Sequence, residues 1–173
     1  MALGLATLVM LAGSACARLA PAGFWASYRP ELIENKSSDQ GPWGGARWIQ
    51  WASDKPGTFV EGDVKEWATD NGWTYCDRTE YPAQVVATEW RFSDGRRVFP
   101  LLDRHPELLP TGGSSSFGVQ FPRHMAGDLI VLRFDTAWMR EDPGTNEMTP
   151  AYGYVVLGEE GRKLAVYHFW GNG

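Results

Sequence analysis

The residues of this chain that are able to do chemistry are few and scattered. Its 173 residues include three histidines, His105, His124 and His168, and two cysteines, Cys16 and Cys76. None of them lies at the short spacing that zinc or iron ligands usually show. The sequence therefore predicts no metal and no cofactor. It leaves enzymatic activity uncertain and favours a protein that is not an enzyme, with no catalytic residue assigned.

Two patterns nevertheless suggest hydrolytic chemistry. Ser115 lies in a polar run after two glycines, where His124 or His105 and an aspartate could activate it as a nucleophile. The run lacks the G-x-S-x-G pattern, so a polar loop is the simpler interpretation. Asp77 and Glu80 could cleave a glycosidic bond as a carboxylate pair, although charges on strands more often form cross-strand ion pairs. A small cell-wall-active hydrolase remains an alternative function.

Two further residues have structural interpretations. His168 alternates with Val166 and Trp170 along a predicted strand, so we expect a core or edge histidine whose hydrogen bonds are satisfied. Cys76 lies between Tyr75 and Asp77 in another predicted strand. We expect its thiol to be buried as a small hydrophobic group, because free cysteines are among the most buried residues.

The beginning of the chain predicts export. Residues 1–17 carry no charge, and the apolar run at 2–13 ends in small residues directly before Cys16. About 7–15 apolar residues followed by small residues are typical of a signal peptide. The run is shorter than the roughly 20 residues that a membrane-spanning helix needs. We therefore expect residues 1–17 to be a signal peptide.

Gly13-Ser14-Ala15-Cys16 resembles the lipobox of bacterial lipoprotein precursors, with Gly13 where that family usually has leucine. The resemblance implies that Cys16 is lipidated and becomes the first residue of the mature chain. Ala17 in place of aspartate implies an outer-membrane lipoprotein that faces the periplasm. One alternative is ordinary cleavage at Ala15-Cys16-Ala17, which would give a soluble periplasmic protein. Retention of the apolar N-terminus is a third interpretation.

Charge and cysteine content limit the possible partners. The net charge of −5 lies entirely after the predicted signal peptide, so nucleic acid is a poor partner. A basic protein is compatible with this charge. Once Cys16 is lipidated or removed, Cys76 has no partner for an intramolecular disulfide. Nine tryptophans supply apolar surface, and we expect Trp48 and Trp51 to pack in the core.

The predicted fold class is α+β, with an antiparallel sheet of about six strands packed by one main helix. We expect a tether and irregular segment at 18–45, with a turn-rich loop at 35–42, and a single domain at 46–173. Residues 24–25 and 30–33 are expected to dock against this domain. The helix is predicted at 63–71, with Asp63 and Glu66 as a capping box and Asn71-Gly72 at its end.

Strands are predicted from alternating apolar residues. The last hairpin, formed by 152–157 and 163–170, is apolar on both faces, which indicates a central or covered position. Asp94-Gly95 favours a hairpin turn, and long connections are expected at 102–127 and 139–150. The other predicted strands are 47–52, 73–78, 84–92, 96–101 and 128–135, the last with Ile130, Leu132 and Phe134 on one face.

The leading functional hypothesis is a lipid-anchored envelope protein with a non-catalytic binding role. A specific version is an inhibitor or immunity protein for a basic partner in the periplasm. A structural envelope lipoprotein is another alternative. Polar loops and their aromatic residues would form the binding surface, for which the candidates are Trp43, Arg123, His124, Glu141, Asp142 and Glu147.

Overall fold

A computed structural model describes residues 21–40, 44–83, 90–91, 97–98, 125, 127–141 and 147–171. Its main helix, α1, is Glu61–Asp70, and short 3₁₀ turns lie at Gly23–Ser27, Pro30–Leu32 and Glu159–Gly161. The strands are β1 Ile33–Gln40, β2 Gly44–Ala52, β3 Thr74–Tyr81, β4 Trp90–Arg91, β5 Arg97–Val98, β6 Leu129–Glu141, β7 Met148–Gly158 and β8 Lys163–Gly171.

Six of these strands form one antiparallel sheet in the order β1-β2-β8-β7-β6-β3, and β4 pairs with β5 in a separate two-stranded sheet. The predicted sheet with one helix is therefore present. It is compatible with the α+β class, although the helix is a minor part. The β7–β8 hairpin is central, as its apolar residues predicted, because β2 and β6 flank it.

One face of the sheet packs against α1 and the N-terminal 3₁₀ turns. Trp25 and Trp51 are completely buried there, in one core cluster with Trp73 and Phe134. The Trp51 indole N–H donates a hydrogen bond of 2.7 Å to the Tyr28 carbonyl. This bond and the ring contacts around it confirm that the segment at 24–25 docks against the domain.

The other face of the sheet is also apolar. Trp48, Tyr154 and Tyr167 are buried there, beside Leu129 and Val131 of β6. The Gln50 side-chain amide donates to the Tyr167 hydroxyl at 3.3 Å. Trp48 and Trp51 are thus both core residues, as predicted, on opposite faces of the same strand.

The helix begins earlier than predicted. It starts at Glu61, after Val60 in an extended conformation, and no side chain caps it. Asp63 lies inside the first turn, so the predicted capping box is wrong. The backbone N–H of Phe59 donates to the Gly161 carbonyl, which fixes the chain just before the helix. The spacing of Val64, Trp67 and Ala68 predicts one apolar stripe, and in the helix Val64 and Ala68 are buried and Trp67 is partly buried.

Strand β1 replaces the turn-rich loop expected from the many turn-forming residues at 35–42. Its backbone pairs antiparallel with β2 over Ile33–Gln40, with Ser38 opposite Arg47. β1 is the first strand of the sheet, and its residues 34–38 are exposed. An edge strand held by backbone hydrogen bonds needs no apolar alternation, because no core covers it. The irregular conformation expected at 18–45 is therefore wrong for 33–40 and for 44–45, where β2 begins.

Strands β6 and β7 are longer than predicted and take up both ends of the connection expected at 139–150. Met139, Arg140 and Glu141 pair with Pro150, Thr149 and Met148. The predicted face of Ile130, Leu132 and Phe134 is confirmed within β6, because all three pack in the α1-side cluster. Within the predicted strands 84–92 and 96–101, the structure describes residues 90–91 and 97–98. There β4 and β5 are antiparallel, with Trp90 opposite Val98. The Asp94-Gly95 turn lies outside the described residues.

Cys76 is exposed, which contradicts the expected buried position. The register of β3 against β6 shifts between Tyr75 and Asp77, so Cys76 occupies an irregularity in an edge strand. Its thiol lies 3.6 Å from the Thr74 carbonyl oxygen. A bulge interrupts the alternation of side chains between faces, and the flanking sequence does not signal it.

Candidate functional site

The predicted binding residues that the structure describes lie at one end of the sheet. Glu141 is the last residue of β6, and Glu147 directly precedes β7, so the two bracket the connection at 142–146. Trp43, Arg123, His124 and Asp142, like Cys16, are outside the described residues. The candidate surface can therefore be described only through the ends of β6 and β7.

The ends of β6 and β7 carry an exposed apolar surface. Met139 pairs with Pro150 and Glu141 pairs with Met148, which places these four residues on one face of the hairpin. We call this face the tip patch. The exposed fraction is 43% for Met139 and 52% for Met148. Trp138 lies on the opposite face and is 41% exposed.

A bulge in β6 separates the tip patch from the core. The register against β7 shifts between Asp135 and Trp138, and Ala137 has a left-handed φ of 58°. The Asp135 carboxylate accepts a hydrogen bond of 2.8 Å from the Ala137 backbone N–H. Beyond the bulge, Arg140 also pairs with Gly171 of β8. Bulges of this kind reorient a strand next to functional sites.

The chemistry of the tip patch suits contact with another protein. Methionine is enriched in the cores of protein interfaces, and its flexible side chain adapts its shape to different partners. Glu141 and Glu147 add negative charge at the rim. Sequence reasoning identified the two glutamates but not Met139, Met148 or Trp138. For Met139 and Met148, an apolar residue within a connection expected to be polar was the available signal.

A hydroxyl–imidazole pair lies under the same end of the sheet. The Thr136 hydroxyl is 3.0 Å from Nε2 of His168, and both residues are buried. Thr136 donates its hydroxyl proton to the Ala151 carbonyl, so its oxygen accepts from the Nε2–H of His168. A nucleophile needs the opposite arrangement, in which the imidazole accepts the hydroxyl proton. The pair therefore holds the bulge of β6 against β8 instead of activating Thr136.

His168 is enclosed by aromatic rings. It stacks on Trp170 with ring centroids 5.3 Å apart, and Trp73 lies 5.7 Å away on centroids. Burial lowers the pKa of His168 to about 3; the nearby Ala151 backbone opposes the shift, and the Arg47 charge adds to it. Nδ1 has no hydrogen-bond partner among the described residues. The core position is as expected, but only one ring nitrogen is satisfied.

The carboxylates that suggested glycosidase chemistry are engaged in ion pairs. Arg133 donates its Nε–H to Asp77 at 2.9 Å across the β3–β6 pair. Glu80 lies 2.6 Å from a guanidinium nitrogen of Arg78, its neighbour on the same strand. The Asp77 contact matches the expected cross-strand ion pair, whereas the Glu80 pair lies within one strand. Ser115 and His124, the other hydrolase candidates, lie outside the described residues.

Comparisons with known proteins identify no relatives. No protein-family model matches the chain, and no curated protein and no solved structure matches it. In the described part of the chain, no group of three or more histidine, cysteine, aspartate or glutamate residues could hold a metal ion. The described helices include none long and apolar enough to cross a membrane. Functional inference therefore depends on the surfaces of this chain alone.

Proposed function

We propose that this protein is a lipid-anchored bacterial envelope protein that binds a basic protein partner through the tip patch, without catalysing a reaction. One observation carries the proposal. Of the four large exposed hydrophobic residues in the described part of the chain, Met139 and Met148 lie in the tip patch, and Trp138 lies on the opposite face of the same hairpin. Glu141 and Glu147 lie beside them. Apolar anchors bordered by charge are a common form of protein-binding surface.

The two parts of this surface have different roles in binding. Methionine side chains that become buried against a partner supply affinity, because burial of each contributes about 1.5–3 kcal/mol. The glutamates and the overall charge of −5 attract a basic partner and accelerate its association. An inhibitor or immunity protein that blocks a basic envelope-active protein would use both the methionines for affinity and the acidic charge for rapid association. The lipid on Cys16 would keep the domain at the outer membrane.

Photo-crosslinking tests the tip patch directly. A photoreactive phenylalanine analogue at Met148, in cells that make the protein, is expected to give a discrete crosslinked species. The same analogue at Asp70, an exposed residue at the end of α1, provides the matched control. Mass spectrometry of the Met148 species should identify a protein with a basic face. Identical crosslinks from the two positions, or none from Met148, would contradict the proposed surface.

A Cys16→Ser variant tests the lipid anchor. Several acyl chains on one residue bind a bilayer firmly, since each buried methylene contributes about 0.8 kcal/mol. We expect the variant to lose labelling by radioactive palmitate and to leave the outer-membrane fraction. Cys76→Ser removes the other thiol and should keep both properties. If Cys16→Ser stays in the membrane fraction, the anchor is not this cysteine, whereas the crosslinking result would be unaffected.

A further inference from the structure

A polar cleft lies at the end of the sheet opposite the tip patch. Its volume is about 860 Å³, which is within the size range of small-molecule sites. Three parts of the chain line it: the segment from Arg29 to Glu34, the loop from Ala52 to Asp63, and the β7–β8 turn with Glu159, Arg162 and Lys163. The proposed binding to a basic protein does not use this cleft.

Backbone hydrogen bonds hold the walls of the cleft in place. The N–H groups of Ser53, Gly57 and Phe59 donate to the carbonyls of Arg162, Glu160 and Gly161 at 2.8–2.9 Å. The loop after β2 and the β7–β8 turn therefore form one frame. The Ser53 hydroxyl also bonds to Thr58 at 2.8 Å and accepts from the Lys55 N–H at 3.1 Å. A fixed backbone lowers the cost of ordering these segments when a ligand binds.

The β7–β8 turn is strained where it meets the cleft. Glu159 and Glu160 have φ values of 53° and 58°, although left-handed conformations are unfavourable for residues other than glycine. Arg29, on the facing wall, has a φ of 41°. Strain of this kind persists only where surrounding contacts impose it, and it concentrates at functional sites.

The charges of the cleft include both signs. Lys163 pairs with Glu34 at 3.1 Å, and Arg29 lies 3.9 Å from Asp63. Two cations, Lys55 and Arg162, also line the cleft. Neither has a carboxylate partner among the residues that the structure describes, and Asp54 has no cationic partner there. The Arg162 Nε–H donates to the Glu159 carbonyl at 3.1 Å, which leaves the two terminal nitrogens of its guanidinium for a ligand.

The N–H of Ser53 donates to the Arg162 carbonyl at 2.9 Å, so the backbone of the loop that carries Asp54 lies next to the turn that carries Arg162. Leu32 and Val60 add apolar surface to the lining, and Val60 is 48% exposed. The cleft thus offers a cation for a carboxylate, a carboxylate for an ammonium group, and an apolar wall. We infer that it binds a short zwitterionic peptide, with the peptide carboxylate at Arg162 and Lys55 and the peptide ammonium group at Asp54.

The test uses the chain purified from the cells that make it, with trialanine as the probe. N-acetyl-trialanine and trialanine amide each lack one terminal charge. Calorimetry should show that free trialanine binds more tightly than either blocked peptide. Asp54→Asn is expected to weaken free trialanine about tenfold and to leave N-acetyl-trialanine unchanged, because only the free peptide has the ammonium group. Arg162→Met should weaken free trialanine similarly and leave trialanine amide unchanged.

The exposed residues Lys36 and Asp70 provide matched controls outside the cleft, as Lys36→Met and Asp70→Asn. Equal binding of free and blocked peptides would overturn the inference, as would an absence of binding at millimolar concentration. Equal losses in the control variants would also overturn it. Circular dichroism of each variant shows whether the fold is intact. Crosslinking at Met148 tests protein binding at the tip patch, and calorimetry tests peptide binding in the cleft. A negative result in one experiment does not affect the other.

Discussion

A Trp51→Ala variant is expected to lose about 3–5 kcal/mol of unfolding free energy, the range for removal of a large buried aromatic side chain. Trp51 is completely buried, and its ring centroid lies 6.2 Å from the centroids of Trp25 and Tyr28. Its indole N–H is also the donor to the Tyr28 carbonyl. The variant therefore loses ring packing and leaves a buried carbonyl without its donor. This loss is a large fraction of the 5–15 kcal/mol typical of a domain.

Urea unfolding followed by far-ultraviolet circular dichroism measures this loss without depending on tryptophan fluorescence. Trp138→Ala is the matched control, since it removes the same side chain from an exposed position. We expect Trp138→Ala to change the unfolding free energy by less than about 1 kcal/mol. Trp51→Phe should fall between the two, because it keeps a buried ring and loses the N–H donor. Equal losses for Trp51→Ala and Trp138→Ala would contradict the described core.

The sheet could be predicted where its apolar pattern reflects burial. The β7–β8 hairpin has apolar residues on both faces, and both faces are covered. The helix stripe of Val64 and Ala68 was predictable for the same reason. β1 was not predictable, because its polar residues are stabilised by backbone pairing to β2 at the edge of the sheet. Local propensity at Asn35 and Ser37 favours turns, and tertiary pairing overrides it.

The candidate surface was predictable only in part. The acidic residues Glu141 and Glu147 are visible in the sequence because charge in a connection indicates exposure. The exposure of Met139 and Met148 depends on the β6 bulge, where Ala137 takes a left-handed conformation that no neighbouring glycine announces. The polar cleft could not be predicted either. Residues 29–34, 52–63 and 159–163 are far apart in the chain, and only the strand order brings them together.

Acid is expected to destabilise the fold through His168. Its folded pKa of about 3 lies below the ordinary value of 6.5, because burial disfavours the charged ring. Above pH 6.5 the ring is neutral in both the folded and the unfolded chain, so it adds no pH dependence. As the pH falls from 6.5 towards 3, only the unfolded chain takes up the proton. The unfolding free energy should therefore fall by up to about 1.4 kcal/mol per pH unit in this range.

Comparison with His168→Phe isolates this contribution from that of the carboxylates, which titrate in the same range. Phenylalanine can occupy the space between Trp73 and Trp170 but cannot bind a proton. The two proteins should differ in unfolding free energy by a constant amount above pH 6.5. Below pH 6.5 the unfolding free energy of the parent should fall progressively relative to that of the variant. The reason is that residue 168 of the unfolded parent binds a proton, whereas phenylalanine cannot. Parallel unfolding free energies from pH 7 to pH 4 would mean that the folded protein also protonates this histidine. That result would contradict the description of His168 as a neutral imidazole buried between Trp73 and Trp170.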